Sequence, residues 1–453
     1  MATSCVFHKT PVTPPLAVNA EGIYFDLEDG RRIMDGVGGA AVACIGSGNP
    51  RVIAAIHEQS KKVNFTFHTQ FTTEPAEQLA KNIIDRSKGA FALCGFVAGG
   101  SEAMEAAIKT GRQYYWETGQ TQRVNYIGRM ISYHGASLGT LNVAYNGPRR
   151  APYHPILDQT HFHHVSPPYP RRFKREGESD ADFVERLRAE LEAKFIELGP
   201  DSVIAFVAET VTGASSGVVI PPKGYYKAMK SVCEKYGALL ILDEVMCGMG
   251  RMGTLHAWES FGDGITPDIQ AVAKGLGAGY TPIGAVLISQ EVANGLRSKA
   301  GVWQHGYTYQ AHPLSCAASL EVQKIIVEED LLANCRAQGE LLGQLLRARL
   351  EDPASPAAPY VAEIRGQGLF WAIEFDARPL APKLAGKKLG FLIEAQCFAN
   401  NLVVMGMAGG WNYEGTEGDH VMFAPAYIVT KEEVEKMVDI FVKSVEALVV
   451  EYA

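Results

Sequence analysis

The chain of 453 residues is 47% hydrophobic and 20% charged, the composition of an ordinary folded protein with room for a large core and more than one domain. A formal net charge of -8 and a pI near 5.9 give no electrostatic footing for nucleic acid or an anionic membrane, and the one basic cluster, Arg171-Arg172-Phe173-Lys174-Arg175, is followed at once by acids. Eight cysteines without a C-x-x-C pair, no hydrophobic signal core, no stretch of membrane-span length and no simple address signal at Glu451-Tyr452-Ala453 lead to the expectation of a reducing, cytoplasmic setting.

In chain order, residues 22–27 turn at Glu28-Asp29-Gly30 into 31–35 and predict a hairpin, followed by a Gly/Ala-rich loop suited to an active-site edge and a helix from about Pro50. From about 75 to 320, helical stretches such as 74–85 alternate with short apolar strands at 91–97, 125–131, 203–209, 239–245 and 283–288. Such alternation predicts an α/β fold with a mainly parallel sheet covered on both faces. A long helical region over 313–348, strands over 361–375 and 421–429, and an amphipathic helix over 431–449 predict a smaller α+β unit. Residues 352–359 form the only obvious Pro/Ala linker, and there is no internal repeat. The expected division is an N-terminal segment, 1–60, packing with the small domain and the active-site loop, a large domain, 61–320, and a small domain, 321–453.

Two apolar runs end in charge: Leu239-Leu240-Ile241-Leu242-Asp243 and Ile269-Gln270-Ala271-Val272-Ala273-Lys274. Taken singly, a strand-end Asp caps a turn and a Lys lies at the surface. Two buried strands that deliver an acid and a lysine to one sheet edge carry a cost that stability alone does not explain. Pyridoxal phosphate fits both, because it needs a lysine amine for a Schiff base and a carboxylate to hold its ring nitrogen protonated. The literal G-x-G-x-x-G of Gly248-Met249-Gly250-Arg251-Met252-Gly253 is not read as a dinucleotide turn. Asp243 and Glu244 stand where a pyrophosphate would approach, and Thr254-Leu255-His256-Ala257-Trp258 is a poor helix start.

Ala98-Gly99-Gly100-Ser101 follows a predicted strand and opens a helix, so the amides of Gly100 and Ser101 can face an anion and serve as a phosphate cup. Tyr133 in Ser132-Tyr133-His134-Gly135 comes off another strand, where a ring can stack on a planar cofactor, although a core tyrosine is the commoner reading of such a position. His161-Phe162-His163-His164 has metal-like spacing, but no cysteine or acid cluster accompanies it and no metal is expected.

With these residues in view, the chain resembles the class III, or ω-, aminotransferases of the fold type I pyridoxal phosphate enzymes, from about Tyr24 to the last helix. The most specific match runs from Leu242-Asp243-Glu244-Val245-Met246-Cys247-Gly248 through Thr266-Pro267-Asp268 to Ala273-Lys274-Gly275. The resemblance implies that Lys274 forms the Schiff base and shuttles protons, that Asp243 pairs with the ring nitrogen, and that Val245 and Tyr133 cover the two ring faces. It further implies that His134 and Glu209 lie at the cofactor, and that Gly100 and Ser101 bind its phosphate. Thr308 would reach that phosphate from a neighbouring subunit, so a homodimer is expected.

Departures bear on the substrate. Family members acting on ornithine or 4-aminobutyrate carry an arginine in a late Arg-Phe-Ala-Pro-Pro strand, paired with a glutamate in a Gly-Glu-Ala-Gly loop. Here Met422 stands in the strand and the loop reads Gly213-Ala214-Ser215-Ser216-Gly217, which argues against those two substrates. Arg365 is a candidate for the carboxylate, with a structural ion pair as the equal alternative. Trp411 and Tyr413, in the glycine-flanked insertion Ala408-Gly409-Gly410-Trp411-Asn412-Tyr413-Glu414-Gly415, are candidates to cover an apolar amine. The expected activity is transfer of an amino group from an amine to a 2-keto acid by ping-pong half-reactions. The rivals are lyase, decarboxylase, racemase or aminomutase chemistry on the same scaffold, and a non-catalytic cofactor-binding protein.

Overall fold

The computed structural model describes residues 4–453. Its largest sheet has seven strands, in the edge-to-edge order Leu93–Val97, Gly284–Ile288, Ile269–Val272, Leu239–Asp243, Val203–Glu209, Asn125–Arg129 and Phe162–Val165. Gly284–Ile288 runs antiparallel to both of its neighbours, and the other strands share one direction. Every residue of Val203–Glu209 and of Leu239–Asp243 is buried. Their unbroken apolar runs reflect cover on both faces. On one face lies the helix Gly100–Glu117, whose buried residues include the small Ala103, Ala106, Ala107 and Gly111 beside Met104, Ile108 and Tyr115. Small side chains let it approach the sheet closely.

A second, antiparallel sheet has the order Val361–Gln367, Phe370–Phe375, Asp419–Phe423 and Met405–Ala408. It packs with the helices Leu331–Leu350 and Lys431–Tyr452 around Leu342, Leu346, Ile373, Phe423 and Phe441. Gly368, at φ +56, turns the first hairpin so close to the Gly248–Gly253 loop that a Cβ there would stand 2.5 Å from the Arg251 carbonyl oxygen. The third sheet joins the two chain ends: Ala17–Glu21, Tyr24–Leu27 and Arg32–Asp35 are completed by Leu402–Val403, which pairs parallel with Met34 and Asp35. Ile23, Met34, Cys44 and Val52 share the core of Leu342 and Phe441.

Several elements differ from their sequence-based limits for local reasons. The strand expected over 239–245 ends at Asp243, because the Asp243 carboxylate accepts the Val245 amide at 2.9 Å and bends the chain. The strand expected over 125–131 ends at Arg129, ahead of Ile131 at φ +55. The one expected over 421–429 stops at Phe423, two residues before Pro425, which has no amide to give a ladder. The helical region over 313–348 is two helices, Pro313–Glu328 and Leu331–Leu350, broken by Asp330 at φ +47. The histidines of 161–164 belong to the edge strand Phe162–Val165 and its lead-in, where His161 Nδ1 pairs with Asp158 at 2.8 Å.

Candidate active site

The shared strand direction brings the carboxyl ends of the sheet to one edge, the place where open α/β sheets bind ligands. Glu209 and Asp243 are the last residues of neighbouring strands and stand directly across from each other in register. Lys274 follows Ile269–Val272, the next strand over. Its backbone lies in the left-handed region, at φ +40, a conformation that costs about 1–3 kcal/mol in a non-glycine residue and concentrates at functional sites. These side chains, with Gly100, Ser101, Tyr133, His134 and Val245, line one cavity of about 720 Å³.

Hydrogen bonds fix the acids. Asp243 Oδ2 lies 2.8 Å from Nδ1 of His134, whose side chain is fully buried. Glu209 accepts the Tyr133 amide on one carboxylate oxygen at 3.0 Å and the Gly213 amide on the other at 2.9 Å. Burial is the main influence raising the Glu209 pKa, partly offset by His134 and reinforced by Asp243. For Lys274 burial acts in the opposite sense. It depresses the ammonium pKa below the ordinary lysine value, although Asp243 and Glu209 pull it back up. The result is an amine that sheds its proton more readily than a surface lysine, beside two anchored carboxyls.

The phosphate end is built from backbone. No side chain caps the helix Gly100–Glu117, and its N-cap is Gly99, so its first amides are free for an anion. Ser101 Oγ accepts the Ala136 amide at 3.1 Å and so ties the helix start to the Tyr133 loop. A Cβ on Gly100 would stand 2.7 Å from Cγ1 of Val245, so only glycine fits between the helix start and the residue expected against the ring. Nε2 of His134 and Oγ1 of Thr281, both in cavity-lining residues, are buried without a partner among the described residues. A planar, anionic, hydrogen-bonding ligand suits this set, and pyridoxal phosphate fits it: amides for the phosphate, a carboxylate for the ring nitrogen, Val245 and Tyr133 for the faces, and Lys274 for the carbonyl carbon.

Other expected residues lie elsewhere. Thr308 is exposed and does not line its own chain's cavity. Arg365 is fully engaged: it donates to the carbonyls of Ser216 and Gly217 at 2.5 and 2.6 Å and pairs with Glu363 and Glu374 at 2.6 Å each. That network is the structural ion pair, and it leaves the guanidinium no free edge for a substrate. Trp411 does not line the cavity either; its ring carries the guanidinium of Arg172 3.5 Å from its centroid. Tyr413 stacks on Phe173 at 5.1 Å and borders a separate hollow of about 140 Å³.

The glycine-rich Gly248–Gly253 loop ties the edge of the seven-stranded sheet to the antiparallel sheet and the chain beyond it. Arg251, wholly buried, donates to the carbonyl oxygens of Leu369 and Pro425 at 2.9 and 2.5 Å and lies over the Tyr427 ring. Only a short 3-10 turn, Ala257–Phe261, follows the loop. Sequence reading missed Lys9, Arg149, Glu394, Met405 and Met407, which line the more exposed part of the cavity, its mouth: Lys9 is exposed and the other four are half-buried. No periodicity or motif marks them.

Comparison with known proteins agrees with this geometry. The family model described as aminotransferase class-III matches residues 7–445. An uncharacterized aminotransferase of Schizosaccharomyces pombe is 42% identical over 448 residues, 98% of this chain and 95% of the relative. Gamma aminobutyrate transaminase 3, chloroplastic, of Solanum lycopersicum is 32% identical over 440 residues, 95% of this chain and 80% of the relative. Among solved structures, the omega transaminase of Pseudomonas jessenii in complex with PMP superposes with a TM-score of 0.88 at 30% identity, over 97% of this chain and 94% of that one. A thermostable (S)-enantioselective omega-transaminase of Thermomicrobium roseum gives 0.85 at 33% identity, over 98% and 96%.

Proposed function

The chain belongs to the class III aminotransferases, a pyridoxal phosphate-dependent family of fold type I, and from that premise we propose that it moves the amino group of an amine or ω-amino compound to a 2-keto acid in two alternating half-reactions. The observation that carries this reading is the convergence of Glu209, Asp243 and Lys274, from three neighbouring strands, on one cavity beside an uncapped helix start. When bound, pyridoxal phosphate supplies an electron sink that stabilises negative charge at the substrate carbon.

The chain's own residues do the rest. Asp243, held by His134 and the Val245 amide, is the anion that keeps a ring nitrogen protonated. Lys274, with its lowered pKa, is the base that takes the proton from the substrate carbon and returns it at the next position. Gly100 and Ser101 would hold the phosphate, and Val245 and Tyr133 would flank the ring. Glu209 braces the Tyr133 loop through that residue's amide.

We place Thr308 at the phosphate of a second subunit in a homodimer. Its exposure supports this, as does the exposed aromatic pair beside it in sequence, Tyr309 packed edge-on against Phe65 at 6.0 Å. No helix among the described residues is long and apolar enough to cross a membrane, and all eight cysteines are free; both support a cytoplasmic setting. The Solanum relative is named for 4-aminobutyrate, but Met422 and the loop at 213–217 lack the charged pair that the resemblance leads one to expect for that donor, which argues against 4-aminobutyrate.

The test is the visible spectrum of the purified holoprotein during addition of amines, from alanine and β-alanine to aryl and long-chain ω-amines, with no keto acid present. Conversion of the cofactor band to that of its amine form is expected with at least one donor. A band that persists with every donor would favour lyase or racemase chemistry, and a protein that binds no cofactor would overturn the reading.

A further inference from the structure

Resting on the aminotransfer reading above, the problem left open is what receives the carboxylate of the keto acid. The strand position expected to carry an arginine holds Met422, and Arg365 is consumed by Ser216, Gly217, Glu363 and Glu374. Six ionisable side chains other than tyrosine, histidine and cysteine line the cavity: Lys9, Arg149, Glu209, Asp243, Lys274 and Glu394. Glu209 and Asp243 are anchored to the cofactor end, and Lys274 is the reacting amine. Two cations remain at the mouth, from separate parts of the chain.

Arg149 sits in a one-turn helix, Gly147–Arg150, that Asn146 caps through the Arg149 amide. The contrast with its neighbour in sequence is sharp. Arg150 is buried and donates to the Ala144 carbonyl at 2.6 Å while lying over the Tyr145 ring. The half-buried Arg149 guanidinium makes no ion pair and no hydrogen bond among the described residues. It lies instead over the face of Tyr133, 4.6 Å from the ring centroid. Tyr133 is also the residue assigned to a cofactor face, so the guanidinium is held beside the reacting centre with its donor edge unused. A planar fork of donors on an aromatic shelf matches a carboxylate in two parallel hydrogen bonds, which the single ammonium of Lys9 does not. Burial raises the pKa of Glu394, the remaining acid of the lining, and among the described residues it makes no pair with Arg149.

We propose that Arg149 is the carboxylate-recognising residue of this enzyme: it binds the carboxylate of the 2-keto acid, and of the amino acid formed from it, in place of the arginine absent at Met422. Amines without a carboxylate leave it on Tyr133. One cavity can then admit a neutral-tailed donor and an anionic acceptor in turn. The specificity for acceptors lies in Arg149, and the specificity for donors in the apolar wall around it.

The experiment compares acceptors in the holoenzyme. kcat and KM are measured for the 2-keto acid that the wild type uses better, pyruvate or 2-oxoglutarate, and for an aliphatic aldehyde, in wild type, Arg149→Met, Arg149→Lys and Lys9→Met. In Arg149→Met the ratio of keto-acid to aldehyde kcat/KM is expected to fall about ten- to hundredfold, the worth of a charge-assisted hydrogen bond, with the change in KM rather than kcat. Arg149→Lys should regain part of the ratio. A ratio within about threefold of wild type in Arg149→Met, or the loss appearing in Lys9→Met instead, would overturn the proposal. If Arg149→Met fails to fold, Arg149→Lys decides alone, because loss of the fork should still lower the ratio while an unaltered ratio refutes the role. Absence of transfer to any acceptor in the wild type would sink the aminotransfer reading itself, a separate outcome.

Discussion

The floor of the cavity and its mouth are built on opposite plans. The floor, with Glu209, Asp243 and Lys274, stands at or just past the ends of strands that are buried throughout, and each of its acids is pinned by hydrogen bonds. The mouth takes Lys9 from the start of the chain, Arg149 from a single helical turn, Glu394 from the helix Leu389–Ala399, and Met405 and Met407 from the antiparallel sheet. The difference separates chemistry from choice: rigid elements fix what the cofactor does, while parts drawn from three regions of the chain set which molecule reaches it.

The sharpest way to break that separation is at the floor. Lys274→Ala is expected to lower turnover by on the order of 10³-fold or more with the fold retained, as read by kinetics beside circular dichroism; turnover close to wild type would remove the lysine from the mechanism. The same residue offers a pH test. Because burial holds its ammonium below the ordinary value of 10.5, acylation of Lys274 in the cofactor-free protein should reach half its maximum below that pH, read by peptide mass analysis. A half-point at or above 10.5 would mean the floor is wetter than its packing implies.

Asp243→Asn keeps the shape and removes the charge. A loss of kcat of roughly 10²-fold or more is expected, in line with other single electrostatic groups at reacting centres, and an unchanged kcat would put the ring-nitrogen assignment in doubt. Gly100→Ala is a purely steric probe. Its Cβ would press on Cγ1 of Val245 at 2.7 Å, costing about 1–3 kcal/mol as a lower Tm and weaker cofactor retention. Val245→Ala in the same chain should recover most of it; a Gly100→Ala protein as stable as wild type would show that the helix start and the ring face are not in contact.

The smallest effect is expected at the rim. Trp411→Ala should lose about 0.5–2 kcal/mol from its stacking under Arg172, seen in the Tm, with little change in preference among amines. A large shift in amine preference would return Trp411 to the substrate and blur the line between rim and wall.

The same division explains what could be read from the sequence. Asp243, Lys274 and the Gly99-Gly100-Ser101 turn were legible because each ends a short apolar run or opens a helix, so local pattern and chemistry coincide. Val203–Glu209 matched its expected limits to the residue, since a strand buried on both faces has no ambiguous end. The strand Met405–Ala408 went unseen because two of its four residues, Gly406 and Ala408, are small and carry no alternating pattern. Arg149 went unseen because its importance lies in what does not contact it, which only a folded chain reveals. Arg365 illustrates the reverse: an arginine in a promising place can be spent on Glu374 and two backbone carbonyls.

The parallel pairing of Leu402–Val403 with Met34 and Asp35 has a consequence for how the protein is made. The N-terminal strands leave the ribosome early, yet the strand that completes their sheet is about 370 residues away, which at 5–20 residues per second is on the order of tens of seconds. Throughout that interval Ile23, Met34 and Cys44 have no finished core to enter. They are apolar segments in need of a guardian, and the nascent chain is most exposed to aggregation at the end that was synthesised first.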